Sequence, residues 1–363
     1  MIGLVVNPVA GLGGSVGLKG TDGLVEQARA LGAIPCAHKR AALALRQLPA
    51  DLPIACASGD MGEATMQLVG REPVLVVGTT SAGTQSTAAD TCTAVIALVA
   101  AGAELILFAG GDGTARDVCS AIGNTIVALG IPAGVKIQSA TFAQSPRAAG
   151  ELAAAWYMGR RRERVAEVVD LDDSGMAHSR IGPRLYGTLR VPLGPGLVAG
   201  TKSPSNDQDQ ALLSGIADRI AERTHDTAVL LGCGTTLSAV GAALGLETSL
   251  LGVDLVRHGK VVVYDGTEAE LLAALNDDGA TTVVTPIGGQ GFVLGRGNQQ
   301  LSPAVLRRAG LGRLTVVATP AKLAALGGRS LLVDTGDEET DNELRGWHKL
   351  VTGYDEETMY RVE

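Results

Sequence analysis

Two glycine-rich turns carry side chains of the kinds that handle phosphate. Gly110-Gly111-Asp112-Gly113-Thr114 follows the apolar run from Glu104 to Ala109 and precedes a helix-periodic segment starting near Ala115, which is the context of a strand-to-helix turn. Backbone N–H groups in such a turn, with the positive potential of the helix N-terminus, cradle a phosphate. Asp112 is the informative residue. A carboxylate beside a phosphate is repelled by it, so its presence points to a divalent metal or to proton transfer. The competing reading is a turn aspartate, with Thr114 as the helix N-cap and Asp117 completing a capping box. The second turn, Asn7-Pro8-Val9-Ala10-Gly11-Leu12-Gly13-Gly14, follows Gly3 to Val6. Val16 stands where a dinucleotide fingerprint needs its third glycine, and Lys19 lies between Leu18 and Gly20, so no Walker motif is present either. This turn is a phosphate loop of another kind or simply flexible chain.

A third nest, Gly232-Cys233-Gly234-Thr235-Thr236, stands between Ala228–Leu231 and a helix reaching Leu244, and binds an anion or is capped by Thr235 or Thr236. Gly288-Gly289-Gln290-Gly291 and Gly295-Arg296-Gly297-Asn298-Gln299-Gln300 are dense in amides and glycine. Arg296 or Asn298 is a candidate phosphate or ribose contact, against a plain surface loop. His38, His178, His225, His258 and His348 occur singly, and no Ser-His-Asp hydrolase follows from their spacing.

The elements that must position these residues read as alternating strands and helices. Strands are expected over Gly3–Val6, Leu52–Ala57, Val74–Val77 and Glu104–Ala109, and helices over Met61–Val69 and Ala88–Ala101. A helix over Arg147–Met158 ends in Arg160, Arg161, Arg162 and Arg164, where basic residues oppose the helix dipole and need no ligand. Arg164 to Pro192 alternates like strand around an Asp172-Asp173-Ser174-Gly175 turn, and the polar stretch from Thr201 to Asp207 separates it from a second βαβ array with strands at Ala228–Leu231, Leu250–Leu255, Thr282–Val284 and Leu314–Ala318. The fold class expected is α/β: an N-terminal Rossmann-like parallel sheet over residues 1–130, then a β-rich domain over 131–333 carrying a further α/β block at about 208–333, then an acidic segment over 334–363.

Length and composition bound the function. The 363 residues are enough for two or three cores, and 46 % hydrophobic content with 49 unperiodic glycines excludes collagen-like and disordered chains. Only 3 % of residues are aromatic and the net charge is −8, which argues against nucleic-acid binding. Residues 334–363 hold Asp334, Asp337, Glu338, Glu339, Asp341, Glu343, Asp355, Glu356, Glu357 and Glu363 against Arg345, Lys349 and Arg361, so nearly all the net charge sits in a segment expected to be solvated surface. No apolar run is long enough to span a membrane, the chain opens directly into a strand pattern, and a cytoplasmic location is expected. Cys36, Cys56, Cys92, Cys119 and Cys233 are odd in number and widely spaced, and read as small buried residues.

Phe108-Ala109-Gly110-Gly111-Asp112-Gly113-Thr114, preceded by Asn7-Pro8-x-Ala10-Gly11, resembles the superfamily of NAD kinases and diacylglycerol or sphingosine lipid kinases. Gly17-Leu18-Lys19-Gly20-Thr21-Asp22-Gly23, Gly130-Ile131-Pro132-Ala133-Gly134-Val135-Lys136 and Thr285-Pro286-Ile287-Gly288-Gly289-Gln290-Gly291 look more specifically like the ATP-NAD kinase-like branch that includes the acetoin-catabolism X proteins. The closer resemblance spans nearly the whole chain. It implies an active site using ATP and Mg2+, with Asp112 tied to the metal and to deprotonating the acceptor hydroxyl. Asn7, Gly11, Gly13, Gly14, Thr80 and Ser81, with Gly110, Gly111, Gly113 and Thr114, would hold ATP. Asp117 stands where lipid kinases place a Glu, and Lys136 and Ser139 would face the acceptor. NAD kinases carry an Asn-Glu pair that grips the acceptor ribose, and after Asp112 this chain has none before Asn342-Glu343.

These readings converge on an ATP-dependent kinase acting on a hydroxyl, foremost the adenosine ribose 2′-OH of NAD(H). The alternatives are a kinase for another small-molecule or lipid hydroxyl and a non-catalytic nucleotide-binding regulator. The partners expected are the small-molecule acceptor and a second copy of the chain, with no nucleic acid and no membrane span.

Overall fold

A computed structural model describes residues 1–18, 21, 23–78, 86–135, 137–171, 183–194, 197, 210–224, 227–287 and 290–363. Its described residues divide into two compact units, one made of Met1–Leu12, Gly20–Val25 and Ile34–Thr201, the other of Gly13–Lys19, Glu26–Ala33 and Lys202–Glu363.

The first half of the chain runs β1 (Ile2–Val6), α1 (Val25–Ala30), α2 (Ala37–Leu45), β2 (Ile54–Ala57), α3 (Glu63–Leu68), β3 (Leu75–Val77), α4 (Ala88–Ala100), β4 (Leu105–Gly110), α5 (Asp112–Ile122), β5 (Val127–Pro132), α6 (Pro146–Tyr157), β6 (Glu163–Leu171) and β7 (Pro183–Pro192). The strands form one sheet in the order β3-β2-β1-β4-β5-β7-β6, parallel except for the β6–β7 pair. Every residue of β1, β2, β4 and β5 is buried, as strands covered on both faces require, and this is why they read as unbroken apolar runs. The residues of one face join α2 and α6 in a core around Leu4, Leu107 and Leu129. Those of the other pack with Val95 and Leu98 of α4 and Ala115 and Val118 of α5. Local signals start the helices: Thr87 and Asp90 form a capping box on α4, and Ser145 caps α6 ahead of Pro146.

The second unit contains α7 (Gln210–Thr224), β8 (Val229–Leu231), α8 (Thr235–Ala243), β9 (Asp254–Arg257), β10 (Lys260–Val263), α9 (Glu268–Ala274), β11 (Thr281–Val284), β12 (Phe292–Leu294), α10 (Pro303–Ala309), β13 (Leu314–Val317), α11 (Pro320–Ala324), β14 (Leu332–Val333), α12 (Glu338–Leu344), β15 (Gly346–Val351) and β16 (Glu357–Val362). Its large sheet has the order β10-β9-β8-β11-β13-β15-β16, parallel through β8, β11, β13 and β15 with antiparallel pairs at both ends. β12 and β14 form a separate parallel pair. The α/β class therefore holds, with an N-terminal parallel sheet followed by a strand-rich region carrying a second α/β array. No helix among the described residues is long and apolar enough to cross a membrane.

Three of the differences from the sequence pattern concern the two large sheets. β6 and β7, expected in a second domain starting at residue 131, are hydrogen-bonded into the first sheet through Val127 and Arg190, because β5 would otherwise expose an apolar edge. The strand expected over Leu250–Leu255 begins only at Asp254. The Asp254 carboxylate, fully buried, accepts the Ser249 and Asp265 N–H groups at 2.7 and 2.8 Å and so closes the preceding residues into a loop, leaving Leu250 and Leu251 exposed. The acidic segment is not merely solvated: α12 packs Leu344 into a core and β15 and β16 complete the second sheet, with Leu350 and Val351 buried in the cores on its two faces and Glu357, Met359 and Arg361 exposed. The turn at Asp172–Gly175 and the polar stretch Thr201–Asp207 lie outside the described residues.

Candidate functional site

β1 and β4 are neighbours at the centre of the first sheet, and the chain leaves them in opposite directions, toward β2 and β3 on one side and β5 on the other. Outside the carboxyl ends of two such strands an open parallel sheet leaves a crevice where ligands bind. The two glycine turns follow these two strands, so the topology brings Asn7 and Asp112 to one place although the sequence holds them far apart.

Asn7 joins the turns. Its N–H donates to Ala109 O at 2.9 Å, its Nδ2 donates to Thr114 Oγ1 at 3.0 Å, and its Oδ1 accepts the Val9 N–H at 3.2 Å. Thr114 is buried in the first turn of α5 and is not the N-cap; that position belongs to Gly111, in extended conformation with no side-chain cap. The capping-box reading of Thr114 and Asp117 therefore fails, because α5 starts at Asp112 rather than near Ala115. Asp117 pairs with Arg116 at 3.8 Å.

Backbones crowd where the turns meet. The Gly110 carbonyl accepts the N–H groups of Ala133 and Gly134, both at 2.9 Å. A Cβ on Gly134 would lie 2.6 Å from Gly111 Cα, and a Cβ on Gly11, whose φ is +74°, would lie 2.0 Å from Ala133 O. Glycine is required at these points by close approach, and Gly113 continues the same turn into α5.

Asp112 is the first residue of α5 and is 8 % exposed. Its Oδ2 accepts the Gln138 N–H at 2.7 Å and its Oδ1 the Ser139 N–H at 2.9 Å. The N-terminus of α5 favours the negative charge of this carboxylate. Ser139 is completely buried; its hydroxyl donates to Val169 O at 2.8 Å and accepts the Val169 N–H at 3.0 Å, so its side chain holds β6 while its amide holds Asp112. At the N-cap of α2, Cys36 Sγ donates to Ala10 O at 3.9 Å, pinning the helix start to the turn that follows β1. His38 Nδ1 lies 2.9 Å from Thr65 Oγ1, and burial pushes its imidazole below the usual histidine range against the opposing pull of Asp60.

The remaining expected site residues are distributed differently. Gly13 and Gly14 belong to the second unit, where their carbonyls accept the N–H groups of Leu18 and Gly17. Thr80, Ser81 and Lys136 lie outside the described residues. Gln138, Gly134 and Val169 complete the Asp112 setting without any spacing rule that announces them, since each meets its partner only through the sheet. In the third nest, Gly234 is the N-cap of α8, at φ +115°, so neither Thr235 nor Thr236 caps it. Asn298 fastens its own loop, donating to Val293 O at 2.9 Å and accepting the Gly295 N–H at 3.0 Å, and Arg296 stacks 4.0 Å from the Phe292 ring centroid. The arginine cluster after α6 has structural partners, with Arg161 on Glu104 at 2.8 Å and Arg164 on the Ala140 carbonyl at 3.1 Å.

The donor set fits Mg2+ only in one manner. Among the described residues no three His, Cys, Asp or Glu side chains gather as a metal cage. Magnesium commonly needs just one or two carboxylates when nucleotide phosphates and water supply the other ligands, and Asp112 is a carboxylate of that kind.

Family models bear directly on this geometry. The model of the ATP-NAD kinase N-terminal domain matches residues 2–161, and that of the ATP-NAD kinase C-terminal domain matches residues 225–362. No curated protein and no solved structure matches the chain. The match at residues 2–161 contains both turns, Asp112 and the Ser139 amide that holds it, and together with the second match it covers nearly the whole sequence: the chain belongs to the ATP-NAD kinase family, whose members are phosphotransferases.

Proposed function

We propose that this protein transfers the γ-phosphoryl group of ATP to the adenosine ribose 2′-OH of NAD(H) at the carboxyl ends of β1, β4 and β5. The observation that carries the reading is the Asp112 carboxylate, fixed by two backbone amides beside the junction of the two turns. Phosphoryl transfer asks little covalent chemistry of a protein; it asks for aligned oxygens and compensated charge. Asp112 takes the proton of the acceptor hydroxyl, its carboxylate oriented by the Gln138 and Ser139 amides. The hydroxyl oxygen forms the new P–O bond as the bond to the β-phosphate oxygen breaks, and ADP leaves. Backbone around Gly11 and Gly110–Thr114 approaches the phosphates as only glycine permits. Mg2+, when carried in on ATP and held through Asp112, neutralises charge on the phosphate oxygens.

A second acceptor class has one observation in its favour. The Asn342-Glu343 pair lies on α12, with Glu343 bonded to Arg307 at 2.8 Å, so this chain does not supply the ribose-gripping pair from that sequence position in free form. Another small-molecule hydroxyl then takes the place of NAD(H).

The test is product formation. Purified protein incubated with magnesium, ATP and a panel containing NAD, NADH and polyols yields a phosphorylated dinucleotide by mass spectrometry. Asp112→Asn lowers turnover by at least about 100-fold, the lower end of what a positioned base contributes. The Asn amide also faces one backbone N–H as a donor, a loss of about 1–3 kcal/mol in stability. Thermal unfolding and nucleotide affinity are therefore measured alongside. Full turnover in a folded Asp112→Asn protein removes Asp112 from the mechanism, and a phosphorylated polyol without phosphorylated dinucleotide reassigns the acceptor.

A further inference from the structure

α2 brings a cation to the same strand ends. Its Ala37, Ala41 and Ala44 are completely buried against the sheet, and such small side chains let the helix lie close to the strands. From the flank of this helix Arg40 reaches over the sheet end, where its Nε–H donates to the carbonyl of Pro132. Pro132 is the last residue of β5 and the direct cross-strand partner of Gly110. The next two residues, Ala133 and Gly134, are those that meet Gly11 and Gly111. The guanidinium is thus anchored one residue from the junction of the glycine turns, in the same unit as Asp112.

Charge gives this position its meaning. A polyphosphate bound beside the Asp112 carboxylate is repelled by it, and a nearby guanidinium offsets that repulsion. A guanidinium held through Nε has its plane fixed, the condition for fork-like recognition of phosphate oxygens. We propose that Arg40 contacts the phosphate chain of the phosphoryl donor and is a binding residue of this site. The inference rests on the reading of the site as a phosphoryl-transfer centre. A residue that only braced Pro132 would need a hydrogen-bond donor and no particular charge.

Binding of inorganic tripolyphosphate, ATP and adenosine to the full-length protein is measured by calorimetry for the wild type, Arg40→Gln and Arg40→Lys, with thermal unfolding of each. Arg40→Gln weakens tripolyphosphate and ATP by about 10–100-fold, the range for losing hydrogen bonds to a charged group, and leaves adenosine unchanged. Arg40→Lys retains the charge without the fork and weakens them by a smaller factor, and it carries the test if Arg40→Gln does not fold. With ATP and NAD as substrates, the KM for ATP rises by a similar factor while that for NAD is unchanged. Wild-type affinity for tripolyphosphate in a folded Arg40→Gln, or equal weakening of adenosine and tripolyphosphate in either variant, overturns the inference and leaves Arg40 a brace. A wild-type protein that binds neither ATP nor tripolyphosphate overturns the phosphoryl-transfer reading itself, and this inference with it.

Discussion

Asp112 is only as well placed as the segment that holds it. Its two bonds come from the amides of Gln138 and Ser139, and that segment is fixed in turn by the Ser139 hydroxyl, which both donates to and accepts from the Val169 backbone. Ser139 is therefore a positioning residue in this reading, rather than one whose side chain is available to an acceptor. Ser139→Ala leaves the N–H and C=O of Val169 without this partner, at a stability cost of about 1–3 kcal/mol. The expected kinetic signature is a fall in kcat of about 10-fold with ATP affinity unchanged, since a displaced base loses alignment while the phosphate turns stay in place. A purely structural serine would lower the unfolding temperature without separating kcat from nucleotide binding. Asp112 was legible in sequence because a carboxylate within a glycine nest is chemically anomalous. Its partners were not, because backbone amides carry no signature of residue type.

Among the elements, α2 was the least visible in sequence, being a short Ala-rich segment with no side-chain cap. Its far end is held from outside. The Arg71 guanidinium donates to the carbonyls of Leu45, Leu48, Pro49, Ala50 and Leu52, gathering the oxygens at the C-terminus of α2 and the turn that follows. Arg71→Ala removes these charge-assisted bonds together and is expected to cost about 2–3 kcal/mol by urea denaturation. Because α2 also carries Arg40 and has Cys36 as its N-cap residue, the variant should weaken ATP binding as well, whereas a loss of stability alone would separate the helix end from the site. The better-predicted elements have the opposite character: β1, β2 and β4 are buried on both faces, so burial itself writes a continuous apolar run into the chain.

At the scale of the whole molecule, the concentration of negative charge in the last thirty or so residues has structural consequences that net charge alone does not reveal. Asp337 caps α12 through the Thr340 N–H, and Arg307 gathers Asp337, Glu339 and Glu343. Asp341 is buried, accepting both the N–H and the hydroxyl of Thr335 at 2.9 and 2.7 Å. Burial pushes its carboxyl above the usual aspartate range, with a further push from Asp334, against the pull of the Thr335 bonds and Arg345. The folded protein therefore binds a proton at Asp341 more tightly than the unfolded chain does. Between the unfolded value of about 3.9 and the raised folded value, its contribution to stability falls as pH rises. Asp341→Asn keeps an acceptor oxygen and abolishes the titration. The wild type should gain stability relative to this variant as pH is lowered from neutral toward about 4, measured by thermal unfolding at matched ionic strength. A difference independent of pH would mean that Asp341 does not titrate in this range.

Local chemistry alone determined the two glycine-rich turns, the alternation of buried strands with helices, and the strangeness of Asp112, because each depends on residues close together in the chain. Tertiary structure decided the rest. The placement of β1 beside β4 brought Asn7 to Thr114, the crossing of β5 set Gly134 against Gly111, and the packing of α2 carried Arg40 to Pro132. The same is true of the acidic segment, whose alternation is too short to be read as strand until β13 offers an edge for β15 to pair with. Pairings of this kind depend on strand order and on close backbone approach, and neither imposes a residue pattern at a fixed spacing along the chain.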